Sequence, residues 1–112
     1  MLKLESLSGG QKTLTALALI FAIQCYEPSP FYVLDEVDMY LDAVNAEKIA
    51  QMIKNNSKYA QFIMVSLRKI TLKEADHVYG IVKQSNGVSN IIGNVNLSQI
   101  GEKGEINIGG AR

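Results

Sequence analysis

The sequence predicts an α/β fold, with a mainly parallel sheet, flanking helices and a β-hairpin at one edge towards the carboxyl end. Two short runs of β-favouring apolar residues, 31–34 and 62–65, are separated by a segment with helical periodicity. A strand–helix–strand order of this kind favours two parallel strands joined by a right-handed crossover. The dipeptide Asn86-Gly87 lies between two further apolar runs and predicts a hairpin with a type I′ turn.

The size and charge of the chain limit the classes of protein to which it can belong. Its 112 residues correspond to one small domain or to part of one. Eleven basic and eleven acidic residues give a formal net charge of zero, so no overall basic field indicates nucleic-acid binding by this chain alone. The single cysteine, Cys25, excludes an intrachain disulfide, and its apolar neighbours predict a buried structural thiol. With no recognisable signal peptide or membrane-spanning run, we expect a cytoplasmic protein.

The first helix is predicted over 13–26, where apolar residues recur at helical spacing and also occupy the other faces. This pattern predicts a helix that is buried on several sides. Ser8 is a favourable N-cap, and Gln11 three positions later completes a capping box. The same helix start can bind phosphate, because its unpaired N–H groups and two glycines, Gly9 and Gly10, leave room for a ligand. The residues alone leave both interpretations open.

The strand predicted at 31–34 ends in three acids within four positions, Asp35, Glu36 and Asp38. Its continuous apolar run predicts burial on both faces. Carboxylates at the carboxyl end of such a strand lie in the crevice where open α/β sheets bind ligands. One carboxylate can hold Mg²⁺ and the next can orient a water for attack on a phosphate. We therefore assign Asp35 to the metal and Glu36 to the role of catalytic base; alternatively, the acids only cap the following turn.

The remaining elements follow from the same patterns. A second helix is predicted from Asp42, a possible N-cap, to about Asn55 or Asn56. Its buried stripe is expected to comprise Ala46, Ile49, Ala50 and Ile53. A short helical turn is predicted near 71–75, hairpin strands at 78–82 and 88–92, and a flexible tail at 101–112.

Two motifs carry a resemblance to a known family. The segments Leu7-Ser8-Gly9-Gly10-Gln11 and Val33-Leu34-Asp35-Glu36, one helix and one turn apart, resemble the signature and Walker B motifs of ABC-type ATPases. Segments 13–23 and 62–68, together with Asp35-Glu36-Val37-Asp38, are similar to structural-maintenance-of-chromosomes (SMC) proteins. The resemblance implies a partial P-loop NTPase fold, in which residues 1–100 form the carboxy-terminal lobe of an SMC ATPase head.

The resemblance also implies a role for individual residues. Asp35 would be the Walker B acid that holds Mg²⁺, partly through water, and Glu36 would be the hydrolytic glutamate. Asp42 would be the D-loop aspartate that communicates across a dimer of heads. The signature turn, whose first three residues would bind the γ-phosphate of ATP on the opposite head, comprises Ser8, Gly9, Gly10, Gln11 and Lys12.

Two departures refine this expectation. No G-x-x-x-x-G-K-[ST] phosphate loop occurs in the sequence, so this chain alone is expected to be inactive. Transporter-type ABC ATPases carry a histidine where Leu67 stands, which counts against a transporter subunit. His77 is ten residues further on and is expected at the surface or only partly packed.

The resemblance implies ATP and Mg²⁺ as cofactors, and a role in chromosome condensation, segregation and DNA organisation. The implied partners are an amino-terminal head lobe that carries the phosphate loop, a second head in an ATP-sandwiched dimer, and a kleisin-type subunit. This chain would contact DNA as part of the complete complex at the nucleoid, and no membrane is expected as a partner. The alternatives are a head lobe of a related ATPase of DNA double-strand-break repair, and a non-catalytic protein-binding module. The intact Glu36 argues against the second alternative.

Overall fold

The computed structural model describes residues 9–93, 95–101 and 105–106 and confirms an α/β fold. The helices are α1 (Gly9–Tyr26), α2 (Ala43–Asn56) and the short α3 (Lys69–Leu72). The strands are β1 (Phe31–Asp35), β2 (Gln61–Val65), β3 (Gly80–Lys83) and β4 (Ser89–Ile92), followed by a 3-10 helix at Leu97–Gln99. The predicted turn near 71–75 is α3, which begins earlier than expected. No helix within the described ranges is long and apolar enough to span a membrane.

Strands β1 and β2 form a two-stranded parallel sheet, as the strand–helix–strand pattern predicted. Phe31 lies opposite Gln61 and Asp35 opposite Val65. The N–H of Glu36 donates to the carbonyl of Val65 at 2.9 Å and extends this ladder by one residue. The expectation of a mainly parallel sheet with a hairpin at its edge was wrong for the described residues. There, β3 and β4 form a separate two-stranded antiparallel sheet, and no described strand joins it to the two-stranded parallel sheet.

Helices α1 and α2 pack against one face of the parallel sheet. Leu34 of β1 is 4% exposed and belongs to the same buried cluster as Leu17 of α1 and Ile49 of α2. The ring of Phe62 in β2 lies 6.2 Å from the ring of Phe21 in α1 and joins the strand to this helix. All four residues of the predicted α2 stripe are buried: Ala46, Ile49, Ala50 and Ile53.

The opposite face of the parallel sheet is open. Its apolar side chains, which we call the exposed sheet face, are Phe31, Val33, Ile63 and Val65. Their exposed fractions lie between 47% and 61%, so the prediction that β1 is buried on both faces was wrong for this chain. The apolar run is real, but no described element covers this side of the sheet.

Helix α1 is also less covered than its sequence predicted. Only Leu17 and Gln24 are buried, whereas Leu19 and Ile23 are 62% and 52% exposed. Cys25 is exposed, so the prediction of a buried thiol was wrong. The reason is the same in both cases: α1 contacts the sheet along one side, and no described element covers the rest.

The hairpin is present, but its turn differs from the type I′ prediction. The N–H of Gly87 donates to the carbonyl of Gln84 at 2.9 Å, and Gly87 has a φ of 84° while Asn86 does not adopt a positive φ. This is the arrangement typical of a three-residue loop with a G1 bulge. Further on, Ile100 is buried and forms an antiparallel bridge with Ile106. Most of the predicted tail lies outside the described residues, so its flexibility stays a prediction.

Candidate functional site

Strand β1 delivers Asp35 and Glu36 to its carboxyl end in different environments. Asp35 is exposed, and Glu36 is half-buried. Glu36 has a φ of 50° and is the only described residue other than glycine with a positive φ. A left-handed backbone at such a residue costs on the order of 1–3 kcal/mol and persists only where the surroundings enforce it. The Glu36 carbonyl accepts a bond from the N–H of Met39 at 3.2 Å, so the chain turns immediately after the strand.

Two cavities meet at Glu36. The larger one, about 360 Å³, lies between the amino-terminal half of α1 and the end of β1, where Thr13 and Tyr40 line it together with both acids. The smaller one, about 130 Å³, lies between Glu36 and the chain that follows β2, including Leu67. The two acids predicted to act on phosphate therefore border an open groove rather than an enclosed core.

The glycines of the signature turn contact the segment that follows the acids. A Cβ added to Gly10 would lie 2.9 Å from the carbonyl oxygen of Tyr40, closer than side-chain carbons approach such an atom. A Cβ at Gly9 would lie 3.2 Å from Cγ of the Tyr40 ring. Gln11 and Lys12 follow on the exposed surface of α1. The glycines thus allow the helix start to pack on this turn, a packing role that the sequence did not show.

Ser8, the first residue of the predicted γ-phosphate contact, lies outside the described residues. Its roles as N-cap and phosphate ligand therefore stay predictions. The structure does place the rest of the signature turn and the acidic end of β1 on the same side of the molecule, because both border the segment around Tyr40.

Asp42 occupies the N-cap position of α2, but its side chain makes no capping bond. Its Oδ1 instead accepts a hydrogen bond from Nδ2 of Asn45 at 2.6 Å, and this bond lowers the pKa of Asp42. The side chain is exposed to solvent. An aspartate at this position is therefore held ionised at the surface, where a second protein can reach it.

Asp38 is a functional candidate that the sequence reasoning left without a role. It is only 2% exposed, and its Oδ2 accepts hydrogen bonds from the hydroxyl of Ser66, at 2.5 Å, and from that of Thr71. Nη1 of Arg68 donates to the backbone carbonyls of Asp38, at 2.8 Å, and of Leu41. We call Asp38, Ser66, Arg68 and Thr71 the anchor cluster. Its sequence signal is an acid close after β1, with an arginine and two hydroxyl side chains close after β2.

The free carboxylates at the end of β1 fit a magnesium ion that arrives with a nucleotide. Within the described ranges, the side chains of Asp35 and Glu36 have no hydrogen-bonding or ion-pairing partner, and no group of three or more acidic, histidine or cysteine side chains there could hold a metal alone. Mg²⁺ commonly takes one or two carboxylates and completes its shell with water and substrate phosphates. Asp35, with Glu36 beside it, would hold such an ion; its assignment to the metal stays a prediction.

Comparison with known proteins shows the family to which the chain belongs. Residues 1–90 match the family described as RecF/RecN/SMC N terminal domain. The chromosome partition protein Smc of Methanocaldococcus jannaschii is 55% identical over 93 residues, which are 83% of this chain but 8% of that protein. The chain therefore spans a small part of the length of this relative.

Solved structures give the same result. A structure from work on the ATP-driven dimerization and DNA-stimulated activation of SMC ATPases has a TM-score of 0.75 and 42% identity, covering 85% of this chain and 58% of that one. The Smc head domain of Pyrococcus furiosus, with an extended coiled coil and bound to the C-terminal domain of ScpA, has a TM-score of 0.75 and 45% identity, covering 80% of this chain and 22% of that one. The chain therefore belongs to the RecF/RecN/SMC family, and its described part has the fold of a segment of an SMC head.

Proposed function

We propose that this chain is the carboxy-terminal lobe of an SMC ATPase head. In this role it supplies Asp35 and Glu36 to ATP bound on its own head, and its signature turn to ATP bound on a second head. The observation that carries the proposal is the contact between the signature glycines and Tyr40, directly beside the groove bordered by both acids. Two motifs that act on nucleotide are thereby held on one side of a single small lobe.

The exposed sheet face supports the proposal that this chain is only part of a head and needs a second lobe. Four apolar side chains lie uncovered on one small sheet, and apolar patches of this kind mark interaction sites. The chain also lacks a phosphate loop, which supplies most of the hold on the β- and γ-phosphates of a nucleotide. An amino-terminal lobe that carries this loop would satisfy both needs.

The chemistry follows from the two acids at the end of β1. Asp35 would hold a magnesium ion, which when bound would neutralise negative charge on the phosphates of the nucleotide. Glu36 orients a water towards the γ-phosphorus and accepts its proton as the new P–O bond forms and ADP leaves. Because the Glu36 carboxylate has no described partner, it is available to accept that proton.

The larger assembly is proposed from relatives. Structures of similar chains concern the ATP-driven dimerization of SMC ATPases and an Smc head domain bound to the C-terminal domain of ScpA. By analogy, ATP binding would join two heads, hydrolysis would separate them, and a kleisin-type subunit would bind the complex on DNA. Chromosome partition by this complex at the nucleoid is the function that the Smc relatives favour. The family description also includes RecF and RecN, so a head lobe of a DNA-repair ATPase is the second candidate.

The decisive experiment is reconstitution of the head. Co-expression with the cognate amino-terminal lobe should give ATP turnover, measured as phosphate release, whereas the chain alone should give none. Glu36→Gln in the reconstituted head should abolish turnover, because the amide cannot accept the proton of the attacking water. The same variant should still form ATP-dependent dimers, measured by sedimentation. Turnover at the wild-type rate in this variant would remove Glu36 from the catalytic role.

A further inference from the structure

The anchor cluster holds the turn after β1 from a different part of the chain. Asp38 belongs to this turn, whereas Ser66, Arg68 and Thr71 come directly after β2 or lie in α3. The side chain of Asp38 is fixed by the two hydroxyls, and its carbonyl is fixed by the guanidinium. Both ends of one residue are therefore held by groups that belong to the neighbouring strand connection.

A buried carboxylate is an unusual choice for a purely structural contact. Removing a charged group from water is costly unless hydrogen bonds replace its hydration, and an apolar pair would fill the same space without this cost. Hydrogen bonds from fixed hydroxyls, unlike apolar contacts, also fix the orientation of the carboxylate. This buried carboxylate lies two residues after Glu36, which is the only described non-glycine residue with a left-handed backbone.

The position of Asp38 explains how Glu36 is kept in that conformation. Leu34 is buried two residues before Glu36 and Asp38 is buried two residues after it, so both sides of the segment are fixed. Two backbone hydrogen bonds, each of 3.2 Å, close the turn. The N–H of Met39 donates to the Glu36 carbonyl, and the N–H of Leu41 donates to the Asp38 carbonyl. With both neighbours immobile, the backbone between them has little freedom to relax to a negative φ.

We propose that Asp38, held by Ser66, Thr71 and Arg68, is a positioning residue that fixes the backbone of Glu36 and so sets the rate of the hydrolysis step. This inference rests on the proposed function for its catalytic consequence, but the anchoring itself is a property of this chain. It also connects the end of β2 to the base, so that a shift of the 66–71 segment changes the orientation of Glu36.

The matched variants are Thr71→Val and Thr71→Ser. Valine keeps the shape of threonine and removes the hydroxyl that Asp38 accepts from, whereas serine keeps the hydroxyl and loses the methyl group. If the residue served only to fill space, the serine variant would be the more damaging of the two. If the hydrogen bond to Asp38 is the important contact, the valine variant would be the more damaging of the two.

The first measurement is amide hydrogen exchange by NMR on the 112-residue chain. In Thr71→Val, the amides of Met39 and Leu41 should exchange about tenfold faster, because local opening of the turn becomes easier. In Thr71→Ser they should keep their wild-type rates. The amide of Ala46, which donates to the Asp42 carbonyl at 2.9 Å, reports on α2 and should be unchanged in both variants. Equal protection of Met39 and Leu41 in the two variants would overturn the anchoring.

The second measurement is ATP turnover in the reconstituted head. Thr71→Val should lower kcat by about tenfold or more, because a small misplacement of a catalytic group is costly, and should leave nucleotide affinity unchanged. Thr71→Ser should retain the wild-type kcat. A Thr71→Val head with wild-type kcat would overturn the positioning role. If even the wild-type head gave no turnover, the proposed function would fail, and the exchange experiment would still decide the anchoring.

Discussion

At the scale of single residues, Glu36 combines a proposed catalytic role with a backbone conformation that a residue with a side chain rarely adopts. Left-handed backbone is readily adopted by glycine, whereas a residue with a Cβ meets the following carbonyl. The structure retains glutamate at a φ of 50°, two residues before the buried Asp38 that we propose holds this backbone in place. Strain of this kind is concentrated at functional sites, where a group is held ready at the expense of stability.

The first prediction compares two variants of Glu36 that both lose the carboxylate. Glu36→Gly should be more stable than Glu36→Ala by about 1 kcal/mol, because only glycine adopts the left-handed region without a steric penalty. At an ordinary position alanine would be the more stable of the two. Urea unfolding of both variants measures the difference, and a more stable alanine variant would contradict the backbone conformation of Glu36.

A second prediction concerns the signature glycines. Gly10→Ala should destabilise the chain by about 1–3 kcal/mol, because its Cβ would lie 2.9 Å from the fixed carbonyl oxygen of Tyr40. The higher helix propensity of alanine offsets only about 1 kcal/mol of this.

Gly9→Ala is the matched control for this prediction. Its Cβ would meet the Tyr40 side chain at 3.2 Å, which can shift, so this variant should retain more stability than Gly10→Ala. Thermal unfolding followed by circular dichroism ranks the two variants. The packing role of Gly10 would be excluded if it tolerated alanine as well as Gly9.

At the scale of elements, local sequence patterns predicted the helices and strand pairs, while the site depended on contacts between them. The α2 stripe and the parallel strands follow from periodicity, which each segment carries by itself. The buried Asp38 is hydrogen-bonded by hydroxyls about thirty residues further along, and no local pattern reports such contacts. By our proposal, the conformation of Glu36 depends on the same contacts. The hairpin turn was mispredicted because Asn86 remains at negative φ and Gly87 alone takes the positive value.

The start of α2 leads to a third prediction, which concerns pH. The hydrogen bond from Asn45 lowers the pKa of Asp42 in the folded chain, so this carboxylate contributes stability above its unfolded pKa. That contribution is lost as the pH falls through the lower, folded value. In Asn45→Ala, the Asp42 carboxyl should titrate at a higher pH, measured by NMR of its side-chain carbon.

Asp76 supplies the internal control in the same spectra. Its pKa is lowered by the ammonium of Lys54, which is independent of Asn45, so its titration should not move in Asn45→Ala. An unchanged Asp42 titration in this variant would show that the Asn45 bond does not set its pKa.

At the scale of the whole molecule, the fourth prediction tests the exposed sheet face as a lobe interface. Ile63→Lys should weaken association with the amino-terminal lobe by about tenfold or more, because a charge would be buried without a partner. The side chain is already 47% exposed, so the chain itself should stay folded. Ile81→Lys in β3, where the side chain is 69% exposed, should not affect association. Co-purification of tagged lobes measures both, and equal recovery of the two variants would exclude this face as the interface.

The openness of the parallel sheet also has a consequence for the solubility of the described part of the chain. With only two strands in the described sheet, each strand has an unpaired edge next to uncovered apolar side chains. Exposed edges of this kind are templates for aggregation. We therefore expect this sheet to self-associate in solution unless its edges and its open face are covered.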